Sequence, residues 1–157
     1  ERPEHTEGYE GFYHLVGLSG GVEAASADYI VRDHDRTKFE ARKEFLTRVA
    51  DYLNTKYGEG TVTLTLRDQY YNMREMVEPH PEVIDKAFEA MTQAGVTPIV
   101  RPIRGGTDGS RLSYMGLPCP NLFTGGMNFH GKYEYCSLDT MRRAMQTIIN
   151  LATLWSE

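Results

Sequence analysis

Two glycine-rich loops hold the side chains best suited to chemistry. The later one, Gly125-Gly126-Met127-Asn128-Phe129-His130-Gly131-Lys132-Tyr133-Glu134, sets a histidine among glycines after a short expected strand, Asn121-Leu122-Phe123. A residue at the carboxyl end of a strand is poised to reach into a cleft. Imidazole is the commonest protein ligand for zinc at neutral pH. A zinc ion takes three or four protein ligands, and His130 is one. The chain contains no His-x-His, His-Glu-x-x-His or paired-cysteine motif. Spacing alone therefore leaves His130 open between a metal ligand and an ordinary loop residue. His5, His14, His34 and His80 read as structural or surface residues.

The earlier loop, Arg104-Gly105-Gly106-Thr107-Asp108-Gly109, follows an expected strand at Pro98 to Ile103. Freely placed backbone N–H groups in such a loop can cradle a phosphate or a carboxylate. The loop lacks the Gly-Lys-Ser/Thr ending of a nucleotide-binding P-loop. The alternative is a tight turn that uses glycine for positive φ.

The elements that must position these loops alternate between strand and helix. Gly11 to Leu18 and Glu23 to Arg32 read as strands joined at Ser19-Gly20-Gly21. Thr37 and Glu40 form a capping-box pattern, opening a helix with Phe39, Leu46, Val49, Ala50, Leu53 and Tyr57 on one face and Gly58 at its end. Thr61 to Gln69 alternates, with Val62, Leu64 and Leu66 on one side, as a half-buried strand does. Pro79-His80-Pro81 opens a helix that stops at Gly95, and a short helix is expected around Arg111 to Met115. Ser137 caps the last helix, where Met141, Met145, Ile148, Ala152 and Trp155 form a stripe for docking on a sheet, with the methionines as core filler. A boundary between two halves is expected near Met76 to Pro79.

Composition excludes several classes. The chain has 157 residues, 40% hydrophobic and 25% charged, enough to bury a core. A net charge of −5 argues against non-specific nucleic-acid binding. No apolar run reaches bilayer length and no signal peptide is visible, so neither a membrane nor a nucleic acid is expected as a partner. Two cysteines, Cys119 and Cys136, form no disulfide framework and fit free thiols in a reducing cytosol.

Five blocks together carry a resemblance. They are Pro3 to Leu15, Tyr29 to Arg36, Tyr70 to Glu75, Pro102 to Gly109, and Gly116-Leu117-Pro118-Cys119-Pro120-Asn121-Leu122-Phe123-Thr124-Gly125-Gly126. In order and across almost the whole chain, they resemble segments of the peptidase T family, tripeptide aminopeptidases among the dinuclear zinc exopeptidases. The resemblance implies an α/β fold in two parts. Residues 1–76 would be the second half of a β-α-β lid domain of the dimerisation type, and residues 77–157 the C-terminal segment of the α/β catalytic domain. It implies that His130, in Asn-Phe-His-Gly, binds one of the complete enzyme's two zinc ions. It also implies that Arg32 and Arg104 hold the peptide's terminal carboxylate, through the paired hydrogen bonds a guanidinium can make. Gly105, Gly106 and Thr107 then belong with Arg104 in substrate binding.

The family's His-x-Asp motif, bridging aspartate, paired glutamates and remaining acidic ligand are absent from these residues. None of these residues is expected to be catalytic, and inactivity of the chain alone is expected, since the paired glutamates supply the general base. The abrupt start in a polar loop favours a piece of something longer. Short peptides are the expected substrates, the cytoplasm the expected location, and self-association or a homodimer through the incomplete lid sheet the expected assembly. The alternative is a non-catalytic interaction module, or a small-anion-binding one, derived from such a peptidase.

Overall fold

Alternating residues on either side of a glycine turn make an antiparallel hairpin. In the computed structural model, which describes residues 1–156, β1 (Phe12–Gly20) pairs with β2 (Ala25–Arg32). The register runs from Phe12 opposite Arg32 to Gly20 opposite Ala25, with a bulge between Leu15 and Gly17. The turn lies slightly later than the Ser19-Gly20-Gly21 pattern indicates, closed by the Gly21 N–H on the Ala24 carbonyl at 2.8 Å.

Helix α1 (Arg36–Tyr57) follows, and its cap differs from the expected one. Asp35, not Thr37, is the N-cap: its carboxylate accepts from the Lys38 N–H at 2.9 Å. The Asp33 carboxylate already holds the Asp35 N–H at 3.0 Å, fixing a non-helical turn ahead of Thr37. Thr37 and Glu40 thus lie inside the first turns. Gly58 ends the helix at φ 115°, a region closed to other L-residues.

The expected strand at Thr61 to Gln69 is not one. Alternation assigns side chains to faces, but a strand also needs a neighbour for its ladder, and among the described residues none pairs with it. Instead the segment is tied to α1. Asn54 accepts from the Val62 N–H at 2.7 Å and donates to its carbonyl at 2.9 Å, and the Lys43 ammonium reaches Asp68 at 3.0 Å. These elements form one compact unit, Glu1–Asn72 with Pro102–Gly105.

The second unit comprises Met73–Arg101 and the residues from Gly106 onward. It holds α2 (Arg74–Val77), α3 (Pro81–Gln93), α4 (Asp108–Tyr114), β3 (Gly126–Met127), β4 (Tyr135–Cys136) and α5 (Leu138–Ser156). Helix α3 ends in a Schellman motif: Val96 N–H reaches the Met91 carbonyl, Gly95 N–H reaches that of Thr92, and Gly95 has φ 69°. The strands expected at 98–103 and 121–123 are irregular, again without a partner among the described residues to make a ladder.

Helix α5 packs on α3 by a different face from the one expected. The buried residues of the pair are Ala87, Ala90, Ala144 and Thr147, small side chains that let two helix backbones approach closely. Asn150 donates to the Ala90 carbonyl at 3.2 Å and Arg143 to that of Gly95 at 2.7 Å. The stripe of Met141, Met145, Ile148 and Trp155 is 50–58% exposed, and Ala152 is exposed as well. Those methionines are not core filler among the described residues.

Candidate functional site

A two-residue ladder closes the His130 loop. β3 and β4 pair antiparallel, Gly126 opposite Cys136 and Met127 opposite Tyr135, and residues 128–134 form the excursion between them. Asn128 has φ 56° and His130 has φ 62°, both left-handed and the only such non-glycine residues among those described. The conformation is uncommon outside glycine, although Asn and His are enriched in it. Four hydrogen bonds hold it. Gly131 N–H reaches the Asn128 carbonyl at 2.9 Å and Glu134 N–H reaches that of Gly131 at 3.1 Å. The Asn128 amide donates to the Tyr133 carbonyl at 3.2 Å, and His130 N–H donates to Glu134 Oε2 at 2.6 Å. A Cβ at Gly126 would strike the Phe129 ring, and one at Gly131 would meet the Asn128 carbonyl oxygen at 2.8 Å. The His130 side chain is exposed, and its ring makes no hydrogen bond among the described residues.

The two arginines lie in the first unit, around Phe12. Phe12 is the ladder partner of Arg32, so their side chains share a face of the hairpin. Arg104 lies over the Phe12 ring at 4.7 Å. Its Nη1 donates to the Thr6 carbonyl at 2.6 Å and its Nη2 to the Thr6 hydroxyl. Its Nε is buried and makes no hydrogen bond among the described residues. Arg32 donates to Gln69 Oε1 at 3.0 Å and stands over the Tyr70 ring at 4.8 Å. Burial pushes the Tyr70 phenol pKa up, and the Arg32 charge opposes that shift. Neither arginine lines the cleft of about 410 Å³ in this unit, which is bounded by Thr6, Tyr9, Asp33, Lys38 and Arg42 among others.

The loop after Arg104 crosses between units, with Gly105 counted in the first and Gly106 and Thr107 in the second. Thr107 is the N-cap residue of α4, and its hydroxyl accepts from the Asn121 amide at 3.3 Å. Gly109 is buried against the Cys119 carbonyl, where a Cβ has no room. Among the described residues, no three or more His, Cys, Asp or Glu side chains gather to hold a metal ion. The exposed imidazole of His130 fits a role as one ligand of a site, not as a site.

Sequence comparison then assigns the chain. The model of Peptidase family M20/M25/M40 matches residues 4–154. This chain belongs to peptidase family M20/M25/M40. It is similar to peptidase T of Bacillus velezensis, 57% identical over the whole chain and 38% of that protein. It is also similar to peptidase T of Parabacteroides distasonis, 58% identical over 98% of the chain and 38% of the relative. The chain thus spans well under half the length of these peptidases. In fold it resembles a crystal structure of a tripeptidase from Staphylococcus aureus, with a TM-score of 0.63 and 16% identity, over 92% of this chain and 39% of that one. The M20 chain is therefore a mixed α/β peptidase segment.

The partners that hold these side chains were less visible than the side chains themselves. Thr6 lies 98 residues from Arg104, and no spacing rule links them. Phe12 reads as an ordinary strand residue. Glu134 carried a usable signal, a carboxylate four residues after His130 in a loop too polar to be core.

Proposed function

We propose that this chain is the C-terminal portion of a zinc-dependent aminopeptidase that releases the N-terminal residue from tripeptides in the cytoplasm. The observation that carries the proposal is the similarity of the whole chain to peptidase T at 57% identity. In this reading residues 1–76 complete a lid domain and residues 77–157 close the catalytic domain. His130 contributes one ligand to one of two zinc ions in the complete enzyme. The metal supplies Lewis-acid polarisation of the scissile carbonyl when bound. The chain alone is inactive, because one ligand and no general base cannot assemble that site. The exposed apolar residues of the hairpin, Leu15, Leu18 and Tyr29 among them, are the surface for self-association.

Arg104 and Arg32 hold the C-terminal carboxylate of the peptide, with Gly105, Gly106 and Thr107 beside Arg104. The Thr6 contacts fix the Arg104 guanidinium and use one N–H on each of its two terminal nitrogens. A charge-assisted contact of this kind contributes about 1.5–3 kcal/mol, roughly ten- to a hundredfold in kcat/KM. In the complete enzyme, Arg104→Ala and Arg32→Ala should each lower kcat/KM by about that factor for a free tripeptide. Neither should do so for its C-terminal amide, which offers no carboxylate. Equal losses on both peptides would remove the carboxylate role.

A further inference from the structure

The strain in the His130 loop has one holder that comes from a side chain and bears directly on His130. Other bonds of the loop join backbone to backbone, or tie Asn128 to Tyr133. Among the described residues, the one hydrogen bond made to His130 by a side chain comes from Glu134, which accepts its backbone N–H at 2.6 Å. That N–H belongs to a residue at φ 62°, a conformation that persists where surrounding structure over-determines it, and such residues cluster at functional sites. For an L-residue, the sign of φ decides which way the Cα–Cβ bond leaves the chain. Relaxation of His130 to negative φ would swing its imidazole to a different side of the loop.

We propose that Glu134 is a positioning residue: its carboxylate captures the His130 N–H, holds His130 left-handed, and so aims the imidazole at the metal. The proposal rests on the reading of His130 as a metal ligand. Glu134 bonds the main chain of His130 and leaves both ring nitrogens untouched, so its effect passes through backbone conformation and not through imidazole basicity. The neighbouring glycines make that geometry possible. Gly131 can fold back onto the Asn128 carbonyl only without a Cβ, and Gly126 must admit the Phe129 ring. The required property of residue 134 is an acceptor oxygen at the end of a side chain of this length. Glutamine keeps that oxygen and loses the charge; alanine loses both.

The test uses Glu134→Gln and Glu134→Ala. In this chain, labelled for NMR, the ¹³Cα and ¹³Cβ shifts of His130 report its φ, and its amide exchange rate reports the hydrogen bond. Glu134→Ala should release the left-handed shifts and accelerate exchange, while Glu134→Gln should preserve both. In the complete enzyme, Glu134→Ala should weaken zinc affinity, measured by chelator competition, by about ten- to a hundredfold, as loss of an orienting partner does. Glu134→Gln should stay close to wild type. Unchanged His130 shifts and exchange in Glu134→Ala would overturn the proposal. So would a Glu134→Gln variant as impaired as Glu134→Ala, which would make the carboxylate's charge the active property. Zinc affinity unchanged in His130→Ala would instead overturn the metal-ligand reading, while the NMR result would still decide whether Glu134 shapes the loop.

Discussion

Asp68 shows how a single charge ties the extended segment to α1. The Tyr71 hydroxyl, bonded to it at 2.7 Å, and then the Lys43 ammonium hold its carboxyl below the usual range. A carboxyl with a depressed folded pKa contributes stability above its unfolded value of about 3.9. That contribution is lost as pH falls through the folded pKa. Below pH 4, therefore, part of the loss of stability should come from Asp68. Asp68→Asn should lower Tm at neutral pH and flatten the acid limb of a Tm-against-pH profile, because the stabilisation that acid removes is already gone; a profile identical to wild type would show the contact to be idle. At the residue scale, the candidate side chains were legible where they rest on local composition. A lone histidine among glycines and an arginine before Gly-Gly-Thr both stand out in the sequence. What holds them was not, because Thr6 and Arg104 meet only through the fold.

Among elements, the junction of β1, β2 and α1 is the most tightly determined. Asp33, its side chain 2% exposed, pairs with Arg42 Nε at 2.8 Å and so joins the end of β2 to α1. Gly11, just before β1, lies against that pair, and a Cβ there would collide with the Asp33 carboxylate, the Arg32 carbonyl and Arg42 Nε. Two of those obstacles belong to a buried ion pair and one is backbone, so none moves cheaply. Gly11→Ala should destabilise the chain by about 1–3 kcal/mol, read as a lower denaturant midpoint at constant slope. A midpoint within error of wild type would mean that the junction is loose.

The helices themselves were readable from periodicity, and Gly58 and Gly95 mark their stops. The strands at 61–69, 98–103 and 121–123 were not, because pattern specifies which face a residue takes and cannot supply the neighbouring strand. Helix α5 makes the same point: its most apolar stripe lies outward, and its contact with α3 is made by small residues that a hydrophobic pattern passes over.

For the molecule as a whole, the unpartnered features agree with one another. Among the described residues, extended segments without ladders, an apolar helix stripe, a guanidinium Nε without an acceptor and the exposed His130 all occur in a chain spanning 38% of its peptidase T relatives. Family membership and the mixed α/β character were visible from five ordered sequence blocks, whereas the division into compact units at Asn72/Met73, with Pro102–Gly105 joined to the first, depends on long-range packing. In the function proposed above, His130 supplies one ligand to a zinc site of the complete enzyme. The most direct test is the metal content of the complete enzyme after exhaustive dialysis, wild type beside His130→Ala. His130→Ala should lose one zinc ion per chain, with activity on a tripeptide and on its amide abolished together. Full zinc occupancy and retained activity in His130→Ala would show that His130 is not a zinc ligand.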